Sequence, residues 1–341
     1  MYNVASSLIV TIVSTIAVIH MRSYAVPVVV RVFIPAMTLP VAVGLMFWAV
    51  PGPSRWPHQE SMRRMVRYSV PLGLATVLGT IMLQLHSLIV ASMCSPEEFI
   101  VYANGAIEVP LIGIVTGAIT PVIFGDMCEL CHKGETAAAL QLFHKASMKS
   151  ACILFPATCF LLVSATPFIV LLYSEQYRAS AVPFVIYLCA MPIRIVFYGA
   201  ALMALGMARA ILVRSIIDLT INGILCFVLV KAMGYVGAAV ASVLSLYVWH
   251  VPFNLTKIGQ GLGVSWRASL PFKALLRILL ISVLCMPAAA VGTVAVPGIP
   301  LVRLMAAGIL YWPLVVYLLY RTSFIVPPSW LQRRIPVLLR A

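Results

Sequence analysis

The feature that most constrains this chain is a succession of long apolar runs without alternation, of which Val32–Val50 and Leu275–Val296 are the plainest. A helix needs about 20 such residues to cross the hydrocarbon of a bilayer. Inside lipid no water satisfies backbone groups, so a spanning segment closes its own hydrogen bonds as a helix or joins a closed barrel. Barrel strands alternate apolar and polar side chains over about ten residues, and these runs do not. The expected fold is therefore an all-α polytopic membrane protein. Composition supports this where it decides something. Only 9% of the residues are charged and 62% are hydrophobic, whereas a water-facing domain carries about 25% charged residues. A soluble enzyme and a nucleic-acid-binding domain are both excluded. The net charge of +14 is read as basic loops meeting anionic membrane lipid, with no nucleic acid as partner.

Polar breaks divide the chain into about ten spans. They fall near Val4–His20, Val32–Val50, Val70–Cys94, Phe99–Gly125, Met148–Tyr173, Val182–Leu205, Ile211–Val230, Val236–Thr256, Leu275–Val296 and Leu304–Tyr320. Residues 1–50 thus hold two spans, 51–69 a basic amphipathic linker, and 70–256 a six-helix bundle. Residues 257–320 hold a second linker with two further spans, and 321–341 a basic tail. One set of alternate loops carries 17 of the 23 Lys and Arg residues, the other set 5, and Arg194 sits inside a span. The positive-inside rule then places the richer set and both termini in the cytoplasm of an inner-membrane protein. No basic n-region or cleavage site marks the first apolar stretch as a signal peptide, so it is read as a span. The other face receives only short loops such as Ser95–Glu98 and Lys231–Tyr235, too small to house catalytic residues and a sugar. Transport by the helices is expected rather than enzymatic chemistry.

Charges within spans are costly and usually face a cavity or a partner. Three stand out: Arg194, Asp218 and Glu108. The guanidinium of Arg194 matches phosphate oxygens bidentately; its structural alternative is an ion pair with Asp218 on the next span. Glu108 stands two residues before Pro110, where it either exchanges a proton or bonds backbone freed by the proline. His86 and His250, in or near span ends, are expected to hydrogen-bond between helices. Cys128-Glu129-Leu130-Cys131-His132 spells the c-type haem signature, but Lys133, Lys145 and Lys149 put that loop inside, where haem is not attached. Zinc on Cys128, Cys131, His132 and His144 has suitable ligand types, yet a helix end followed by a solvated loop is the simpler reading, and no cofactor is expected. The eight cysteines read as small hydrophobes rather than a disulfide framework. Gly259-Gln260-Gly261-Leu262-Gly263 reads as a flexible joint, and Gly113 with Gly117 as a small-residue pair for close helix packing.

Five stretches carry a resemblance to a known family. They are Tyr68-Ser69-Val70-Pro71-Leu72, then Tyr102-Ala103-Asn104-Gly105-Ala106-Ile107-Glu108-Val109-Pro110-Leu111-Ile112, then Leu172-Tyr173-Ser174-Glu175-Gln176-Tyr177 with Ser180. Met191-Pro192-Ile193-Arg194 and, after Asn222, Gly234-Tyr235-Val236-Gly237-Ala238-Ala239-Val240-Ala241 complete the series. Between Tyr68 and Leu255 the chain resembles the second lobe of polysaccharide exporters in the multidrug/oligosaccharidyl-lipid/polysaccharide exporter superfamily. The resemblance implies a Wzx-type flippase that carries an undecaprenyl-diphosphate-linked repeat unit across the cytoplasmic membrane for O-antigen or exopolysaccharide synthesis. It implies two helical lobes about a cavity, with the last two spans as an additional C-terminal pair. Membrane lipids and other polysaccharide assembly proteins are the implied partners. Against that pattern only two spans precede Tyr68, so the first lobe is expected to be truncated. An organic-cation exporter of the same superfamily, or a truncated non-transporting membrane protein, is the alternative expectation.

Overall fold

The computed structural model describes residues 58–296 and 298–324, together with Phe33, Pro40 and Gly44, which are helical. The chain divides into two compact units, Met1–Met62 and Arg63–Ala341, and the described residues fall almost entirely in the second. The expected spans Val4–His20 and Val32–Val50 and most of the basic tail lie outside the described residues.

The first described helix, α1 (Gln59–Met93), begins well before its apolar run. Residues 59–70 contain no glycine or proline, so the expected linker is helical from Gln59 and continuous with its span. A short helix α2 (Pro96–Gly105) follows, opened by a capping box in which Ser95 and Glu98 bond each other's backbone N–H. Then come α3 (Pro110–His132), α4 (Thr136–Val163) and its continuation α5 (Ala165–Tyr173). A 3-10 turn (Glu175–Ser180) leads into α6 (Ala181–Leu188), and a second one (Met191–Ile195) into α7 (Tyr198–Ala204). The two halves of this span meet at 46°. Next are α8 (Ala208–Met233) and α9 (Tyr235–Ser245), the latter passing through a π-turn (Leu246–His250) into α10 (Val251–Leu262). The last elements are α11 (Phe272–Leu284), α12 (Met286–Ala295) and α13 (Pro300–Arg321).

Among the described residues there is no strand, and seven helices are long and apolar enough to span a bilayer, or eight with the bent segment counted as one span. Eight is also the number expected from residue 70 onward. Helix α4 is the axis of the packing. Its best apolar window is 67% buried within the protein, against 17–33% for the other six, which turn their apolar sides outward. Leu83, Ile114 and Val294 are 68–84% exposed, which suits lipid and not water. The buried core of α4 includes Phe143, Leu154 and Cys159, against which α3, α11 and the 191–195 turn pack.

Close backbone approach explains two glycines. A Cβ on Gly292 would lie 2.4 Å from Ala307 Cα, so α12 and α13 touch at that level because no side chain intervenes. A Cβ on Gly105 would lie 2.6 Å from the Ser180 carbonyl, which fixes the end of α2 against the turn before α6. Among the described residues the expected close packing at Gly113 and Gly117 does not occur. Both face outward with nothing within 4 Å of a Cβ position, because that side of α3 lies opposite its buried stripe Ile112, Val115, Ile123 and Met127. The expected joint at residues 259–263 is instead the closed end of α10. Gly263 takes the left-handed conformation, and the Val264 N–H returns to the Gly259 carbonyl at 2.9 Å, the bonding of a glycine-terminated helix.

Candidate functional site

Pro110 and Pro192 set the geometry of the site. Each lacks the N–H a helix needs and starts a new element, leaving short non-α-helical stretches at 106–109 and 189–197. Glu108 projects from the first break and Arg194 from the second, and the two form an ion pair. The expected Arg194–Asp218 pair is therefore corrected. Sequence order makes those spans neighbours, but the turn after Pro192 directs Arg194 to the α2–α3 break instead. Asp218 is served locally: Arg214 Nε, one turn earlier on α8, lies 3.4 Å away, and His250 Nδ1 lies 2.9 Å away. Glu108 likewise pairs with a side chain and not with backbone freed at Pro110.

The Glu108–Arg194 pair opens on a cavity of about 340 Å³ whose walls come from α1, α2, α3, α6, α8 and α9. Much of the wall is apolar, as at Met82, Ile112, Phe184 and Leu246. Its polar side is a connected series of buried groups. The Tyr102 and Tyr187 hydroxyls are 2.7 Å apart, Tyr187 reaches Ser242 Oγ at 3.3 Å, and Ser242 Oγ meets His86 Nδ1 at 3.0 Å. His86 Nε2 contacts Asn222 Oδ1, while Asn222 Nδ2 donates to Ser245 Oγ at 2.8 Å. The Asn222 oxygen only accepts, so the ring proton of His86 sits on Nε2. His86 thus bonds α1 to α8 and α9, the role expected of it. Tyr102, Tyr187 and Ser242 were not singled out as site residues, because a hydroxyl within an apolar run has no spacing signature.

Ligand pockets measure about 300–1,000 Å³, and this cavity stands at the lower end of that range. Its mouth carries the ion pair, with 44% of the Arg194 side chain and 64% of the Glu108 side chain accessible. A guanidinium held by one carboxylate at an open mouth can exchange that partner for a ligand phosphate.

A second polar cluster stands apart from this cavity. Asp218, Arg214 and His250 are joined by Asn254, which accepts from Arg214 at 3.2 Å and donates to the His250 carbonyl at 2.7 Å. None of these four lines the cavity. Asp218 is thus separated from the other two candidates and belongs to the junction of α8 with the π-turn and α10.

Cys128, Cys131 and His132 occupy the last turns of α3, where only three residues (133–135) precede α4, and His144 bonds the Ala268 carbonyl at 3.1 Å. Among the described residues no three His, Cys, Asp or Glu side chains converge as a metal site.

No curated protein matches the chain. A family profile described as "Polysaccharide biosynthesis protein" matches residues 1–182, just over half of the sequence.

Proposed function

The chain belongs to the polysaccharide biosynthesis protein family, and from that membership we propose that it translocates a polyprenyl-diphosphate-linked oligosaccharide repeat across the cytoplasmic membrane. The observation that carries the reading is the accessible Glu108–Arg194 pair, held by two helix breaks at the mouth of a cavity with one polar side. Broken helices near a binding site let a transporter present polar groups within the bilayer. In this account the diphosphate replaces Glu108 on Arg194, and the ring hydroxyls of the sugar exchange hydrogen bonds with the Tyr102–Tyr187–Ser242–His86 series. Contact is transient, since the substrate must leave on the other side. The role is transport and not catalysis. The charge split supports an orientation with the Arg64–Arg67, Lys145 and Arg209 loops in the cytoplasm. Organic-cation export is the weaker reading, because the cavity wall carries one carboxylate, Glu108, already held by an arginine.

Depletion in the native host tests this directly. Lipid-linked repeat units should accumulate in the inner leaflet, where an externally added glycosidase cannot reach them in intact spheroplasts. Unchanged levels, with the repeats still reaching the outer face, would exclude the proposal.

A further inference from the structure

A second cavity, of about 330 Å³, is lined by Arg64, Arg67 and Tyr68 of α1 and by Gly206, Met207 and Arg209 at the α7–α8 turn. We propose that it binds the phosphate of a lipid headgroup. Three arginines line the pocket, with no carboxylate in the lining. Arg67 and Arg209 are exposed and have no ion-pair partner among the described residues. Arg67 and Arg209 thus bring two like charges to one pocket, and an anion bound there relieves their repulsion. Arginine in particular suits phosphate, because its planar fork donates two parallel hydrogen bonds.

The pocket is built rather than incidental. The Tyr68 hydroxyl donates to the Met203 carbonyl at 3.2 Å, tying α1 to the segment just before the turn. Gly206, at a φ of +70°, makes that turn possible, and the Met207 N–H closes it on the Leu202 carbonyl at 2.9 Å. The segments that carry Arg67 and Arg209 are thereby held together around one opening. The pocket shares no residue with the Glu108–Arg194 cavity. It also lies beside the N-terminal parts of two long apolar helices, α1 and α8.

Two sources offer this chemistry: the phosphodiester of an anionic phospholipid and the diphosphate of a polyprenyl carrier. The site does not depend on the translocation reading; only the carrier as occupant rests on it. Purified full-length protein in detergent would be tested by native mass spectrometry with phosphatidylglycerol, undecaprenyl diphosphate and, as the phosphate-free control, undecaprenol. The variants are Arg67→Gln with Arg209→Gln, Arg67→Lys with Arg209→Lys, and Arg303→Gln as a remote loss of one cation. We expect phosphate-dependent retention that falls at least about tenfold in the glutamine pair, falls clearly in the lysine pair, and holds in Arg303→Gln. Stronger retention of undecaprenyl diphosphate than of phosphatidylglycerol assigns the site to the carrier; equal or weaker retention assigns it to phospholipid. Unchanged retention in the glutamine pair, or full retention in the lysine pair, overturns a built arginine site. Because the lysine pair keeps the charge, it serves if the glutamine pair fails to fold. Intact binding without flipping would count against translocation alone, and unchanged binding in the variants with flipping preserved would count against this site alone.

Discussion

Arg194 and Asp218 carry opposite charges within the membrane domain, yet their surroundings give removal of either a different cost. The Glu108–Arg194 pair is open to its cavity, and exposed ion pairs contribute about 0–1 kcal/mol. Arg194→Ala should therefore lower stability by less than about 1 kcal/mol while abolishing translocation, and Arg194→Lys should keep stability yet lose most transport, since lysine lacks the fork. Asp218 is buried beside Arg214 and His250. Asp218→Leu leaves the Arg214 guanidinium buried without its carboxylate, a loss of about 3–5 kcal/mol. Thermal unfolding in detergent separates the two cases. Equal destabilisation by both substitutions would contradict the assignment of Arg194 to a ligand and Asp218 to the framework. Within the polar series, Asn222→Leu should cost about 1–3 kcal/mol, because it removes the partner of His86 Nε2 and the donor to Ser245 Oγ in a buried site. All three charged candidates were legible in the sequence as costly groups in apolar runs. Their pairing was not, because span order does not say which way a chain turns after a proline.

Helices were the most legible elements, since a backbone in lipid has few other ways to satisfy itself. Eight expected spans from residue 70 onward correspond to the helical segments found there. Breaks were harder to read. Pro71, Pro121, Pro156 and Pro313 lie inside continuous helices, whereas Pro110 and Pro192 begin new elements. All are the same residue in similar apolar context, so the difference lies in tertiary packing. At Pro156 the carbonyl accepts the Tyr311 hydroxyl at 3.0 Å, binding α13 to α4. Tyr311→Phe removes that bond with no change of shape and should cost about 0.5–1.5 kcal/mol. Glycine packing was likewise invisible to spacing alone. Gly113 with Gly117 and Ala288 with Gly292 both fit the small-residue pattern, yet among the described residues only Gly292 of these three glycines meets another helix, at Ala307. Gly292→Val should force α12 from α13 and lower the unfolding temperature in detergent, whereas Gly117→Val should leave it nearly unchanged. The reverse order would refute the packing described for the last two helices.

For the whole molecule, the uneven distribution of Lys and Arg gives an orientation that labelling can test. With native cysteines replaced, His58→Cys should react with an impermeant maleimide only from the cytoplasm, and Arg178→Cys only from outside. The central claim concerns what crosses the membrane, and one measurement addresses it most directly. Purified protein is reconstituted into vesicles that carry a fluorescent polyprenyl-diphosphate oligosaccharide in both leaflets, and an impermeant quencher is added outside. Protein-free vesicles should lose about half their fluorescence, since a bilayer has two leaflets and the probe does not cross unaided. Vesicles with the wild-type protein should approach complete loss, and those with Arg194→Lys should stay near the protein-free level. Quenching that stops at half with correctly folded wild-type protein, or that proceeds equally with Arg194→Lys, would contradict the account.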